Sequence, residues 1–315
     1  MADLYQMRAD ARLVVFTDLD GTLLDHETYS YTPATEALDL LNRKGIPLIL
    51  CSSKTRAEIE LIQLDVRLRH PFISENGGAV FILKGYFPFT PEGTRNIEGY
   101  EAIEFGAPYW QLVKSLHRIS GELGISVVGF SDMSVEEVAR DSKLSLTEAR
   151  LAKLREYDEP FRILGISPAT RSRLFDALHD AGLRCTRGGR YHHLTGVTDK
   201  GLSIRMLRSL YEGACGRLLA VGLGDSLNDL SLLQQVDIPS LYGILRGAPQ
   251  RTCFARFPRP VSRARQGPAA GTKQSCGGCW TEHDVTGKAV WRDSPTPYEG
   301  LLPVLTGYEQ EPDGG

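Results

Sequence analysis

The sequence predicts an α/β fold, a largely parallel, Rossmann-like sheet into which an α+β domain is inserted. Up to Pro239 short apolar runs alternate with helix-like segments. Motifs carrying carboxylates, hydroxyls and lysine follow the strands or head the helices, where ligands of open α/β sheets bind. The stretch from Tyr86 to Gly189, between the second and third of those motifs, is too long to be a loop. The 315 residues suffice for two domains, and 42 % apolar content is that of an ordinary globular chain. With 36 basic against 39 acidic residues, a formal charge of −3, there is no overall field for nucleic acid or anionic lipid. Met1 to Ala11 lacks the apolar stretch of a secretion signal, and no window approaches the ~20 apolar residues of a membrane span. A soluble, cytoplasmic protein without nucleic-acid or membrane partners is therefore expected.

Each element has a local reason. Leu13 to Phe16 is a short apolar run suited to a central strand covered on both faces. Thr32 caps and Pro33 opens a helix that buries Leu38 and Leu41 and ends at Gly45, after which Ile46 to Leu50 forms the next strand. Ser134 with Glu137, and Ser145 with Glu148, are capping boxes starting adjacent helices. Another helix begins at Ser167-Pro168 and stops at Gly182. Lys200 heads a helix running to about Tyr211, Leu218 to Val221 is a strand, and a helix follows from about Asn228. Cys51, Cys185 and Cys215 lie in apolar or helical context and are expected as buried free thiols.

Four motifs carry the chemistry. Asp18 and Asp20 follow the first strand. Taken alone, an Asp-x-Asp pair before Gly21 is a weak signal and reads more readily as turn chemistry. Ser52, Ser53 and Lys54 follow the second strand, where hydroxyls and backbone N–H groups could hold phosphate or merely cap a helix. Lys200, in Thr198-Asp199-Lys200-Gly201, could neutralise phosphate as a compact charge. Gly222-Leu223-Gly224-Asp225-Ser226-Leu227-Asn228-Asp229 turns from strand to helix and presents two carboxylates suited to a hard cation such as Mg²⁺.

In this order the motifs resemble those of the haloacid dehalogenase superfamily of phosphatases. The resemblance implies Asp18 as nucleophile, Asp20 as general acid and base, and Ser52 and Lys200 as phosphate ligands. It also implies Mg²⁺ held by Asp18, Asp20, Asp225 and Asp229. Ser74-Glu75-Asn76-Gly77-Gly78, Arg155-Glu156-Tyr157-Asp158-Glu159 and Gly188-Gly189-Arg190-Tyr191-His192 are similar to strings of the mannosyl-3-phosphoglycerate phosphatase family, in the Cof-like sugar-phosphatase branch. That resemblance implies a haloacid dehalogenase-like core over 11–85 and 190–239, with a substrate-reading cap over 86–189. The substrate it implies is a phosphorylated sugar-glycerate, converted to mannosylglycerate, a compatible solute. Ser53, Lys54, Asn76, Glu156, Asp158, Glu159, Arg190 and His192 are then the candidate substrate ligands. Glucosyl-3-phosphoglycerate, sucrose phosphate or a phosphomannomutase-like transfer are the competing reactions.

Residues 240–315 depart from this pattern. Ser240 to Thr281 holds six arginines and no acidic residue and is dense in Gly and Pro, as disordered segments are. Cys276-x-x-Cys279 with Cys253 and His283 is a weak zinc signature. Codons able to encode Gly271 to Cys276, shifted by one base, spell Trp-Asn-Lys-Ala-Val-Leu, similar to the family's C-terminal helix. The segment is accordingly expected to be disordered or a frameshifted reading of that ending.

Overall fold

The alternation of Leu13 and Val15 with Val14 and Phe16 sets the architecture. The first pair sinks into an apolar layer on one side of the sheet and the second into a layer on the other. The computed structural model describes residues 12–26, 28–165, 168–187, 190–243 and 251–253. β1 (Arg12–Thr17) lies centrally between β2 (Leu48–Cys51) and β11 (Leu218–Gly224), parallel to both. β3 (Phe72–Ser74) and β12 (Ile238–Gly243) extend the parallel sheet on either side. Beyond β3 run antiparallel β4 (Ala79–Leu83), β6 (Tyr100–Glu104) and β5 (Arg95–Ile97), and β13 (Arg251–Cys253) is antiparallel to β12. Among the described residues this makes a nine-stranded sheet.

One face is covered by α1 (Thr35–Lys44), through Leu38 and Leu41, and by α2 (Arg56–Asp65), through Ile59. The other is covered by α7 (Lys200–Cys215), through Ile204, Leu207 and Tyr211, and by the short α8 (Leu230–Leu233). Thr32-Pro33 opens a 3₁₀ turn rather than the α-helix itself, and no side-chain cap bond forms there. Gly45 ends α1 in the left-handed conformation, as expected.

A second, four-stranded antiparallel sheet has the order β7 (Val127–Gly129), β8 (Asp158–Ile163), β10 (His192–Thr195), β9 (Arg184–Arg187). α3 (Tyr109–Glu122) and α6 (Pro168–Asp180) pack on one of its faces, around Leu116, Phe161, Leu174 and Leu194. α4 (Val135–Ser142) and α5 (Leu146–Ala152), both started by the expected capping boxes, form a separate cluster with Phe130 and Val138. Each box contributes about 1 kcal/mol or more to helices too short to persist alone.

The partition of the chain differs from the expected 86 and 189. Residues 95–104 form a hairpin on β4 and stay with the large sheet, while β10 pairs between β8 and β9 in the small one. Motif spacing registers how much chain intervenes, not which edge it joins. Likewise β12 runs through the expected boundary at 239. Cys276, Cys279 and His283, and the frameshifted reading of their segment, lie outside the described residues. Cys51 is buried as expected, but Cys185 is only partly so and Cys215, the last residue of α7, is exposed. No helix among the described residues is long and apolar enough to cross a membrane.

Candidate active site

Strand ends create the site. β1 delivers Asp18 beyond Thr17, and its backbone N–H donates to Leu223 O at 2.9 Å. β11, one strand over, ends in the turn that carries Asp225 and Asp229. Carboxylate oxygens of Asp18, Asp225 and Asp229 lie within 4.8 Å of one another. α7 begins beside them, and Lys200 Nζ donates to Asp18 Oδ1 at 2.5 Å and to Asp229 Oδ1 at 2.7 Å. The other Asp229 oxygen accepts from the backbone N–H groups of Asp225 and Ser226 at 3.1 and 3.2 Å, so this carboxylate is held at both ends.

The charges do not balance. Burial pushes Asp18 up to about 7 despite Lys200 beside it, with Asp229 and Asp20 adding to the rise. Burial and then Asp229 raise Asp225 to about 6. Burial acts to lower Lys200, but Asp18 and Asp229 outweigh it and hold the ammonium above the usual lysine range. Three clustered carboxylates thus have one ammonium, which pairs with Asp18 and Asp229 only, in a largely buried site where an uncompensated charge costs several kcal/mol. Three hard oxygen donors at this spacing, short of positive charge, fit a divalent cation such as Mg²⁺.

Asp20 takes a different place. Its Oδ1 pairs with Lys54 Nζ at 3.0 Å, away from the three-carboxylate cluster that was expected to include it. Lys54 is raised because Asp20 and Glu58 outweigh burial, and it also lies 5.4 Å from the Tyr29 ring. Ser52 is buried at the end of β2 and its hydroxyl accepts from Lys54 N at 3.2 Å. Ser53 O accepts from Arg155 at 2.7 Å.

The expected substrate ligands separate by strand parity. On β8 Asp158 faces the large sheet: its Oδ2 accepts from Asn76 Nδ2 at 3.2 Å and meets His193 Nδ1 at 2.7 Å, while Oδ1 is buried without a hydrogen bond. Glu159, one residue on, points to the opposite face and is bound by Tyr109 and Ser131. Burial raises it, but its oxygens are committed to the fold. His192 likewise turns to the helix-covered face, against Phe161 and Phe175, and its neighbour His193 takes the inward position. Glu156 pairs with Arg56 at 3.4 Å, and Arg190 donates to Asp141 O at the surface. The structure therefore brings Asn76 and Asp158 together and leaves Glu156, Glu159, Arg190 and His192 outside that grouping.

Two buried titratable residues at the junction of the sheets went unsingled in the sequence. Glu75, fully buried, accepts from Glu156 N at 3.0 Å and Tyr157 N at 2.6 Å, and burial raises it to about 8 against the opposing effect of Arg155. Arg155 lies between Ser53 O, Ala152 O and the Phe130 ring. The available signal was Asn76-Gly77-Gly78: positive φ at Glu75, Asn76 and Gly77 marks a tight turn whose peptides are redirected toward the small sheet. The next carbonyl, Gly77 O, accepts from Thr198 and Ser203 at 2.9 and 3.0 Å and so docks the start of α7.

Known proteins resemble this chain in sequence and in fold. A family model described as haloacid dehalogenase-like hydrolase matches residues 15–87. A protein of Methanococcoides burtonii named glucosyl-3-phosphoglycerate/mannosyl-3-phosphoglycerate phosphatase is 48 % identical over 228 residues, 72 % of this chain and 84 % of that one. The mannosyl-3-phosphoglycerate phosphatase of Pyrococcus furiosus is 34 % identical over 233 residues, 74 % of this chain and 92 % of the other. Among solved structures, a phosphatase of the haloalkanoate (HAD) enzyme superfamily from Bacteroides thetaiotaomicron superposes with a TM-score of 0.52 at 17 % identity, covering 73 % of this chain and 84 % of that one, which shows a shared fold.

Proposed function

Because this chain belongs to the glucosyl-3-phosphoglycerate/mannosyl-3-phosphoglycerate phosphatase family of haloacid dehalogenase-like hydrolases, phosphoric monoester hydrolases acting on phosphorylated sugars, we propose that it converts 2-(mannosyl)-3-phosphoglycerate to mannosylglycerate and phosphate. The observation that carries the chemistry is Asp18 at the centre of the charge-deficient cluster, within 2.5 Å of Lys200. Asp18 attacks phosphorus as the bond to the leaving oxygen breaks, forming an aspartyl-phosphate. Asp20, held at one oxygen by Lys54, gives its proton to the leaving oxygen through the other. It then takes a proton from the water that cleaves the acyl phosphate and regenerates the Asp18 carboxylate. Lys200 offsets the negative charge that carboxylate and phosphate bring together, and Ser52 holds a non-bridging oxygen. Mg²⁺, when bound by Asp18, Asp225 and Asp229, supplies further charge compensation.

The small sheet with its helices serves as the cap that reads the sugar-glycerate, Asn76 and Asp158 lying at its inner face. The M. burtonii relative carries both sugars in its name, which supports glucosyl-3-phosphoglycerate as a second substrate. The test is phosphate release from the mannosyl and glucosyl compounds beside mannose 6-phosphate, with Mg²⁺ and with chelator. Turnover of the two phosphoglycerates, lost with chelator and in Asp18→Asn, is expected. Preference for mannose 6-phosphate, or an active Asp18→Asn chain, overturns the reading.

A further inference from the structure

Asp158 ties the junction of the two sheets to an imidazole that the proposed chemistry leaves unused. β10 presents His193 on the face turned to the large sheet, with Thr186 directly across on β9 and Thr195 two residues on, on the same face. Both threonines line a cavity of about 520 Å³, whose lining also includes Asn76 and Lys200. One hydrogen bond fixes the ring. His193 Nδ1 lies 2.7 Å from Asp158 Oδ2, and a carboxylate only accepts, so Nδ1 is the donor. Asp158 is fully buried and is itself held: Asn76 Nδ2 donates to the same oxygen at 3.2 Å, and Arg155 Nη1 stands 4.0 Å away. Asn76 donates its backbone N–H to Ser52 O at 2.9 Å, so two residues connect the imidazole to the proposed phosphate ligand. The second ring nitrogen, Nε2, has no hydrogen-bond partner among the described residues and is open to solvent. A ring oriented by a buried carboxylate, its free nitrogen beside hydroxyls and an amide, is arranged for a neutral polar group. A ligand hydroxyl meets that demand, since it can donate to Nε2 or accept from it.

We propose that His193 is a specificity-determining residue that binds a hydroxyl of the sugar on the leaving group through Nε2, and that Asp158 is the residue that positions it. The inference rests on the proposed function, in which the leaving group is a glycosylated glycerate. It gives His193 the part that the sequence suggested for His192, and it makes Asp158 act through the ring instead of as a direct ligand.

The experiment compares mannosyl-3-phosphoglycerate with 3-phosphoglycerate, which keeps the phosphate and the carboxylate and lacks the sugar. In His193→Ala, kcat/KM for the mannosyl compound falls about fivefold to hundredfold further than for 3-phosphoglycerate, mainly through KM, and His193→Gln, which keeps a polar tip, recovers part of the loss. Asp158→Asn keeps the shape of the carboxylate but can also donate to Nδ1, so it no longer fixes the ring's proton and lowers the mannosyl compound selectively. In the double variant Asp158→Asn adds no further selective loss, because the residue it positions is gone. Damage to the fold lowers both esters alike and does not mimic the ratio. The two esters titrated calorimetrically into Asp18→Asn, with and without His193→Ala, give the same ratio as affinities, so the result stands whether or not either is turned over. Equal losses on both compounds, or no change in their ratio, overturn the assignment. Failure of the wild-type chain to hydrolyse the sugar phosphoglycerates overturns the function reading instead and leaves the affinity ratio to judge His193.

Discussion

Replacing Gly77 by alanine tests whether the turn after β3 sets the position of Lys200. Gly77 has φ of +92°, and a Cβ built there would lie 2.4 Å from Asp199 O, 2.5 Å from Asp199 C and 2.8 Å from Lys200 N. The obstacle is backbone, so no side-chain rotation relieves it. Opening the closest contact to 3.0 Å requires a displacement of about 0.6 Å at the start of α7. The same peptide accepts from Thr198 and Ser203, so the displacement also strains the bonds that dock the helix. Left-handed strain costs about 1–2 kcal/mol and overpacking about 1–3 kcal/mol, giving a loss of about 2–5 kcal/mol in urea unfolding. Misplacing Lys200 by a fraction of an ångström lowers kcat by about tenfold to hundredfold. Gly85→Ala is the control: φ is +77° but nothing lies within 4 Å of the added Cβ. It should show only the strain, about 1–2 kcal/mol, and wild-type turnover. If the two variants match in both unfolding and kcat, the clash with α7 is not what fixes Lys200 and the reasoning fails.

Two further outcomes follow from buried charges. Lys200→Met leaves Asp18 and Asp229 without their cation and should cost about 3–5 kcal/mol in chelator and at least about a hundredfold in turnover. Thermal melts should show Mg²⁺ raising Tm more in this variant than in the wild type, and an equal response would contradict the charge-deficiency argument. Glu75 is raised from 4.5 to about 8, so the folded chain keeps a proton that the unfolded chain has lost between those values. Its contribution is complete below about 4.5 and disappears as pH rises through about 8, declining by about 1.4 kcal/mol per unit between them. The unfolding free energy of the wild type relative to Glu75→Gln should therefore fall by about 2 kcal/mol from pH 6 to 7.5. A difference independent of pH would show that Glu75 is ionised in the fold.

The legible part of this molecule is the part fixed by local order along the chain. Asp18, Asp225 and Lys200 each sit directly at a strand end or helix start, so recognising the element also places the side chain. The capping boxes at Ser134 and Ser145 are equally local. What failed was information carried by pairing. His192 and His193 are indistinguishable in sequence, and only the register of β10 against β8 and β9 decides which faces inward. Glu159 was lost for the same reason, one residue past Asp158. The hairpin at 95–104 joined the large sheet because β6 pairs with β4, a choice its own residues do not announce. Glu75 and Arg155 were hidden because their meaning is mutual and spans about eighty residues of chain.

The turn at 74–78 has a practical consequence for recombination. One side of it grips the two peptides leading into β8 through Glu75, and the other docks α7 through Gly77 O. A cassette exchange that swapped the specificity module at its connecting segments alone would import a β8 entry without the carboxyl shaped to receive it, and the error would reach Lys200 across the same five residues. Grafting a new specificity onto this catalytic body therefore means transplanting 74–78 together with 155–158 as one inherited unit.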